Sequence, residues 1–263
     1  MTSSKQTSVH VNGTDINVIE AGSGSPALIF LHIFAGSVKG WADVIAELKG
    51  THRCVAMDFR GWGESGKGLN DYTLEGLASD VDAVARKLGV EDYILVGHSM
   101  GGKVAQIVAA ARPVGLKALV LVAPAPPTPV PTPKEVRAHI QACVETREGV
   151  ASVLPMLTDV ATLKHEHREF LIEDAIIAAP EAKREWFETG MDFDLTGRAS
   201  LVNVPVRVII GGNDQIETEA ALRTAFDAHY PGTDYVVVPR AGHLIPLEAP
   251  EAVANAIRTA RTA

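Results

Sequence analysis

Four stretches of the first half of the chain, PALIFLH (26–32), RCVAMD (53–58), DYILVG (92–97) and LKALVLVA (116–123), are short and almost unbroken in apolar residues. A strand with one face in water alternates apolar and polar side chains. Unbroken runs of this length therefore describe strands covered on both faces, as in a parallel sheet. Between them the period changes. KGWADVIAELKG, TLEGLASDVDAVARKLG and KVAQIVAAA space their apolar residues as helices do, the second with Thr73 as N-cap and Gly89 closing it. Strand and helix in alternation make an α/β chain, a mostly parallel sheet with helices on both faces. Ahead of the first run, SVHVNGTDINVIEAG sets two alternating stretches around Asn12-Gly13, the mark of an antiparallel hairpin. The same rhythm returns late in the chain with VPVRVIIGG, ETEAALRTAFDAHY, TDYVVVP and PEAVANAIRTA.

The rhythm breaks at 123–135, APAPPTPVPTPKE, where six prolines fall in thirteen residues and no sheet strand can continue without its amide donors. The segments that follow, PKEVRAHIQACVETREG and KHEHREFLIEDAIIAA, are charged and helical, with little strand character. The chain therefore divides into a core, 1–123 with 199–263, and a helical insertion, 124–198. Its 263 residues, 46% hydrophobic, suffice for one sizeable core. A net charge of −8, from 24 basic and 32 acidic side chains, argues against nucleic acid or an anionic membrane as partner and leaves a small molecule. No apolar run approaches the roughly 20 residues of a membrane span, and no apolar leader follows the first residues. Two cysteines, Cys143 and a core-like Cys54, are too few for a disulfide framework. A cytoplasmic protein is expected, with no disordered tract beyond the first few residues. No dinucleotide fingerprint, phosphate loop or His/Cys metal set occurs, so neither cofactor nor metal is expected.

One junction of strand and helix carries more than structure. Gly97-His98-Ser99-Met100-Gly101 is a G-x-S-x-G set between DYILVG and KVAQIVAAA. A serine on such a turn is lifted to the rim of the sheet in a strained backbone, flanked by glycines because a Cβ there would strike the neighbouring strand and helix. The helix N-terminus beneath it favours developing negative charge. A serine hydroxyl is a poor nucleophile near neutral pH, so it needs a base, and the base needs an acid to orient it. Two residues stand just past strand ends, where sheets of this kind gather functional groups: Asp214 after VPVRVIIGG and His243 after DYVVVPRAG. Either alone is an ordinary loop residue. In the order Ser99, Asp214, His243 they complete a nucleophile, acid and base. The tetrahedral intermediate would need two N–H donors, and Met100, next after the serine, supplies one.

With LHIFAGSVKGW, MDFRGWGES, VRVIIGGNDQI and VPRAGHLIPLEAPEAV in the same order, the sequence resembles the α/β-hydrolase family over almost its whole length, in the cap-bearing esterase, lactonase and perhydrolase branch. The resemblance implies an α/β-hydrolase fold with 124–198 as its cap. It implies Ser99 as nucleophile, His243 as base, Asp214 as orienting acid, and an acyl-enzyme hydrolysed by water. It also implies a second oxyanion donor from the loop after ALIFLH, where relatives commonly carry His-Gly-x; here His32-Ile33-Phe34 makes Phe34 that donor. Ile33 departs from the pattern. A β-branched residue resists positive φ, so the loop is expected to keep an ordinary backbone or bear strain, with the Ile33 side chain restricting acyl size. His32 is expected to brace this loop, His98 to be structural, and His165 and His167 to lie on a solvated helix face rather than bind metal. In the cap, Val144, Leu154, Leu157, Phe170 and Ile176 are expected to pack on the core rather than face substrate. The substrate so implied is a small-molecule carboxylic ester or lactone. Carbon–carbon hydrolysis or perhydrolysis on the same triad, or ligand reception without turnover, are the alternatives. The intact Met100-Gly101-Gly102 weighs against the receptor, and a dehalogenase or epoxide hydrolase would need aspartate at position 99.

Overall fold

The computed structural model of the chain describes residues 4–263; the start of the tract read as disordered, residues 1–3, lies outside them. Eight strands form one sheet: β1 (Lys5–Val11), β2 (Thr14–Ala21), β3 (Ala27–Leu31), β4 (Cys54–Met57), β5 (Tyr93–His98), β6 (Leu116–Val122), β7 (Val206–Gly211) and β8 (Asp234–Val238). Their order is β1-β2-β4-β3-β5-β6-β7-β8. β1 pairs antiparallel with β2, and β2 with β4; from β4 to β8 every pairing is parallel. The hairpin turns where the sequence marks it: Asn12 and Gly13 have φ of 48° and 77°, the pair of positive values a two-residue hairpin turn needs.

Eleven helices accompany the sheet among the described residues. α1 (Ala42–Leu48), α2 (Leu74–Lys87) and α3 (Met100–Ala110) belong to the first half. α4 (Lys134–Cys143), α5 (Arg147–Leu157), α6 (His165–Ile177), α7 (Pro180–Glu188) and α8 (Thr196–Ala199) all fall between β6 and β7, with no strand among them. α9 (Glu219–His229), α10 (Ile245–Glu248) and α11 (Pro250–Arg258) complete the chain. The unbroken apolar runs are explained by two cores, one on each face. Ile29 and Leu31 of β3 join the core that includes α2 and α3, while Leu28 and Phe30 join the one with α1 and α11. All four side chains are fully buried, and Cys54 is buried in the second core. α2 begins where Thr73 Oγ1 accepts the Gly76 N–H at 3.1 Å, and Gly89, φ 61°, ends it in the left-handed region.

Two features of the insertion differ from expectation. The segment PKEVRAHIQACVETREG is two helices, because Thr146 starts a new one by accepting from the Gly149 N–H at 3.0 Å. A Cβ on Gly149 would stand 2.1 Å from the Cys143 carbonyl oxygen, so the two helix ends abut. His165 is exposed as expected, but His167 is not on a solvated face. It is buried, with Nε2 3.4 Å from Asp43 Oδ2 and its ring edge-on to Phe170, because the N-terminal turn of α6 meets Asp43 in the first turn of α1. α6 is tied to the core again at Asp174, fully buried, which accepts from Ser37 Oγ at 2.5 Å and Lys39 Nζ at 2.7 Å. No helix among the described residues is long and apolar enough to cross a membrane.

Candidate active site

Ser99 stands where β5 gives way to α3, with φ 53° and ψ −115°, a conformation that costs a non-glycine residue about 1–3 kcal/mol. The surrounding backbone enforces it. Ser99 N–H donates to Val122 at 3.0 Å, and the Ser99 carbonyl accepts from Gly102, Lys103 and Ala125 at 2.9, 3.2 and 3.0 Å. The flanking glycines are required by contact: a Cβ on Gly97 would lie 2.4 Å from the Gly101 oxygen, and one on Gly101 2.5 Å from the His32 oxygen.

The sheet brings both expected partners to this serine. His243, on the loop after β8, stands with Nε2 2.9 Å from Ser99 Oγ and Nδ1 2.8 Å from Asp214 Oδ2. Asp214, on the loop after β7, accepts the Ile216 and Glu217 N–H groups on its other oxygen at 2.8 and 3.0 Å. An ionised carboxylate only accepts, so Nδ1 of His243 carries the proton and Nε2 turns a lone pair to the serine hydroxyl. The ring is held from the backbone side too: His243 N–H donates to the Leu157 carbonyl at the end of α5 at 2.6 Å. His98 Nε2 donates to the His243 carbonyl at 2.8 Å. Burial, and then the neighbouring His243 ring, push His98 down to about 3, so it stays neutral and structural, as its place before the serine implies.

On the other side of Ser99, His32 donates from Nδ1 to the Ile33 carbonyl at 2.7 Å and accepts the Phe59 N–H on Nε2 at 3.0 Å. Burial holds its pKa below the ordinary histidine value, which keeps this two-sided brace neutral. Ile33 keeps a negative φ, and the left-handed residue of the loop is Ala35, φ 57°; the strain has moved two residues along. Among the described residues the Phe34 N–H donates to no protein acceptor. Met100 opens α3, and first-turn N–H groups have no partner within their own helix. The Phe34 ring packs on Trp62, Trp186 and Phe187, centroids 5.2, 6.4 and 4.9 Å away, locking the loop to α7.

Above Ser99 and His243 opens a cavity of about 960 Å³, lined by these two residues and by Ile33 and Phe34 from the core. Val144, Leu154 and Leu157 also line it, against the expectation that they pack on the core alone, whereas Phe170 and Ile176 do not. Trp186, Phe187 and Glu217 line it as well and are absent from the sequence reading. Nothing local marks the two aromatics, which meet Phe34 only through the fold. Glu217 had a signal, the spacing Asp214-x-x-Glu217 in a loop that opens a helix.

The Alpha/beta hydrolase family profile matches residues 28–256. The chain is 28% identical over 237 residues to the dihydrolipoyllysine-residue acetyltransferase component of the acetoin cleaving system of Pseudomonas putida, covering 88% of this chain and 62% of that protein. It thus spans less than two thirds of that relative's length. A thermophilic esterase from Thermogutta terrifontis superposes with a TM-score of 0.82 at 27% identity, over 97% of each chain. The enol-lactonase from Burkholderia xenovorans shares the fold, with a TM-score of 0.84 at 24% identity over 96% of this chain and 98% of that one.

Proposed function

We propose that this chain, which belongs to the alpha/beta hydrolase family, is a serine hydrolase that cleaves a carboxylic ester or lactone of an apolar small molecule. The observation that carries the reading is the Asp214–His243–Ser99 relay, hydrogen-bonded at 2.8 and 2.9 Å under an apolar cavity. Ser99 Oγ attacks the carbonyl carbon while His243 Nε2 takes its proton. Asp214 holds the imidazole and stabilises the imidazolium that forms. The N–H groups of Met100 and Phe34 receive the negative oxygen. The carbon–oxygen bond then breaks, the proton passes to the leaving alkoxide, and water, activated by the same histidine, releases the acid.

In this reading 124–198 is the cap that keeps bulk water from the acyl-enzyme, and Ile33 limits the width of the acyl group. A cytoplasmic location fits the two unpaired cysteines, Cys54 buried and Cys143 half-buried. The test is hydrolysis of p-nitrophenyl acetate and butyrate, without added metal, by the native chain and by Ser99→Ala. Turnover should fall at least about 10³-fold in the variant. Equal rates in the two proteins would overturn the assignment, and a peroxide-dependent product in place of the free acid would favour perhydrolysis on the same residues.

A further inference from the structure

Glu217 sits on the short loop between β7 and α9, and the turn that orients Asp214 also fixes it: its N–H is one of the two that Asp214 Oδ1 accepts, at 3.0 Å. The residue is 7% exposed and lines the cavity that holds Ser99 and His243. Among the described residues no donor reaches its carboxyl oxygens and no cation stands within ion-pair distance. The buried aspartates differ from it in being held. Asp80 is held by the Arg60 guanidinium, Asp174 by Ser37 and Lys39, and Asp58 by Asn17 and the N–H groups of Val38 and Glu64.

Its carboxyl oxygens are not sealed in the protein but open into the cavity, whose other walls are mainly alkyl and aromatic, so a group entering the cavity can supply the partner that the protein does not. Burial, and then the Asp214 carboxylate, push Glu217 up to about 8, with Lys103 opposing. Lys103 makes no ion pair with it: its ammonium, still charged near neutral pH although burial lowers it to about 8, donates to the Thr128 carbonyl at 2.9 Å. Near neutral pH the Glu217 carboxyl keeps its proton, and so offers a donor and an acceptor side by side. A hydroxyl group is the neutral partner that answers both.

We infer that Glu217 is a specificity-determining residue whose carboxyl group hydrogen-bonds an uncharged hydroxyl carried by an otherwise apolar substrate, away from the bond that breaks. The inference deepens the serine-hydrolase reading and rests on it only for the nature of that bond. It is tested by calorimetry in the Ser99→Ala background, which binds without turning over. The ligands are ethyl alkanoates of one chain length whose hydroxyl steps along the acyl chain, with the unsubstituted ester and an ω-amino ester for comparison. One hydroxyl position should bind about tenfold more tightly than the unsubstituted ester. Glu217→Gln, which keeps a donor and an acceptor, should retain most of that advantage, and Glu217→Leu should abolish it. An advantage unchanged in Glu217→Leu, no preferred position, or tighter binding of the ammonium ester would overturn the inference. The ranking of the three ligand types in the protein with Glu217 intact is read without altering this residue. Turnover of the same esters by the protein with Ser99 reports on the hydrolase reading separately: a hydroxyl preference without turnover sinks that reading alone.

Discussion

Beneath the cavity, Ser99, Asp214 and His243 are fixed by backbone atoms: the Ser99 carbonyl takes three N–H groups, Asp214 takes two, and the His243 N–H and carbonyl are both engaged. Above it, Val144, Leu154, Trp186 and Phe187 are held by packing on one another and on Phe34. Backbone hydrogen bonds define position to a few tenths of an ångström and tolerate no substitute. Packed side chains define a volume and tolerate many. The floor should therefore answer mutation in kcat, and the roof in which substrates are accepted.

Asp214→Asn is the severest way to break that contrast. The amide keeps the shape but can donate to Nδ1, which leaves the wrong nitrogen of His243 protonated toward Ser99. On p-nitrophenyl butyrate kcat should fall about 10⁴-fold with KM nearly unchanged. A loss under tenfold, or one carried by KM, would mean that the floor is not what sets the rate.

Glu217 lies where floor meets roof, and its effect is read in stability. The unfolded chain ionises this side chain near the ordinary glutamate value of 4.5, while the folded chain keeps the proton until about 8. Folding thus binds a proton in between. The stability this group contributes is whole below 4.5 and is lost as pH rises through 8. Glu217→Gln, uncharged at every pH, removes that dependence. Relative to the native chain it should gain stability between pH 4.5 and 8.5, by on the order of 4 kcal/mol at 1.36 kcal/mol per pKa unit. Urea unfolding at the two pH values measures it; parallel shifts of both proteins would place the carboxyl in contact with water.

The same contrast decided what could be read before the fold was known. Ser99, Asp214 and His243 each follow a strand whose apolar run is local and unmistakable, and strand ends meet at one rim of a parallel sheet. The orientation of α6 has no such mark, since the apolar residues of EFLIEDAII fall on more than one side of the helix. Burial of His167 depends on Asp43, far away in the chain. Val144 and Leu154 were legible as buried, but that they both join the core and line the cavity depends on residues far away in the chain. For Glu217 the one local mark is its spacing from Asp214, and it is a weak one because a loop glutamate is ordinarily solvated; the Asp214 turn is what draws it inward.

Ile33 offers the finest test, because it belongs to the floor by chain position and to the wall of the cavity by its side chain. Its φ is not in the left-handed region, so glycine is not needed there, and alanine removes the side chain without loosening the loop. Ile33→Ala should raise turnover of branched-acyl over straight-chain p-nitrophenyl esters about three- to tenfold, with the acetate rate unchanged. Trp186→Ala opens the roof instead and should raise KM for short and long esters alike, leaving that ratio within about twofold. If both variants move the branched-to-straight ratio equally, acyl width is a property of the cavity as a whole, and the division between a floor that positions and a roof that selects does not hold at residue 33.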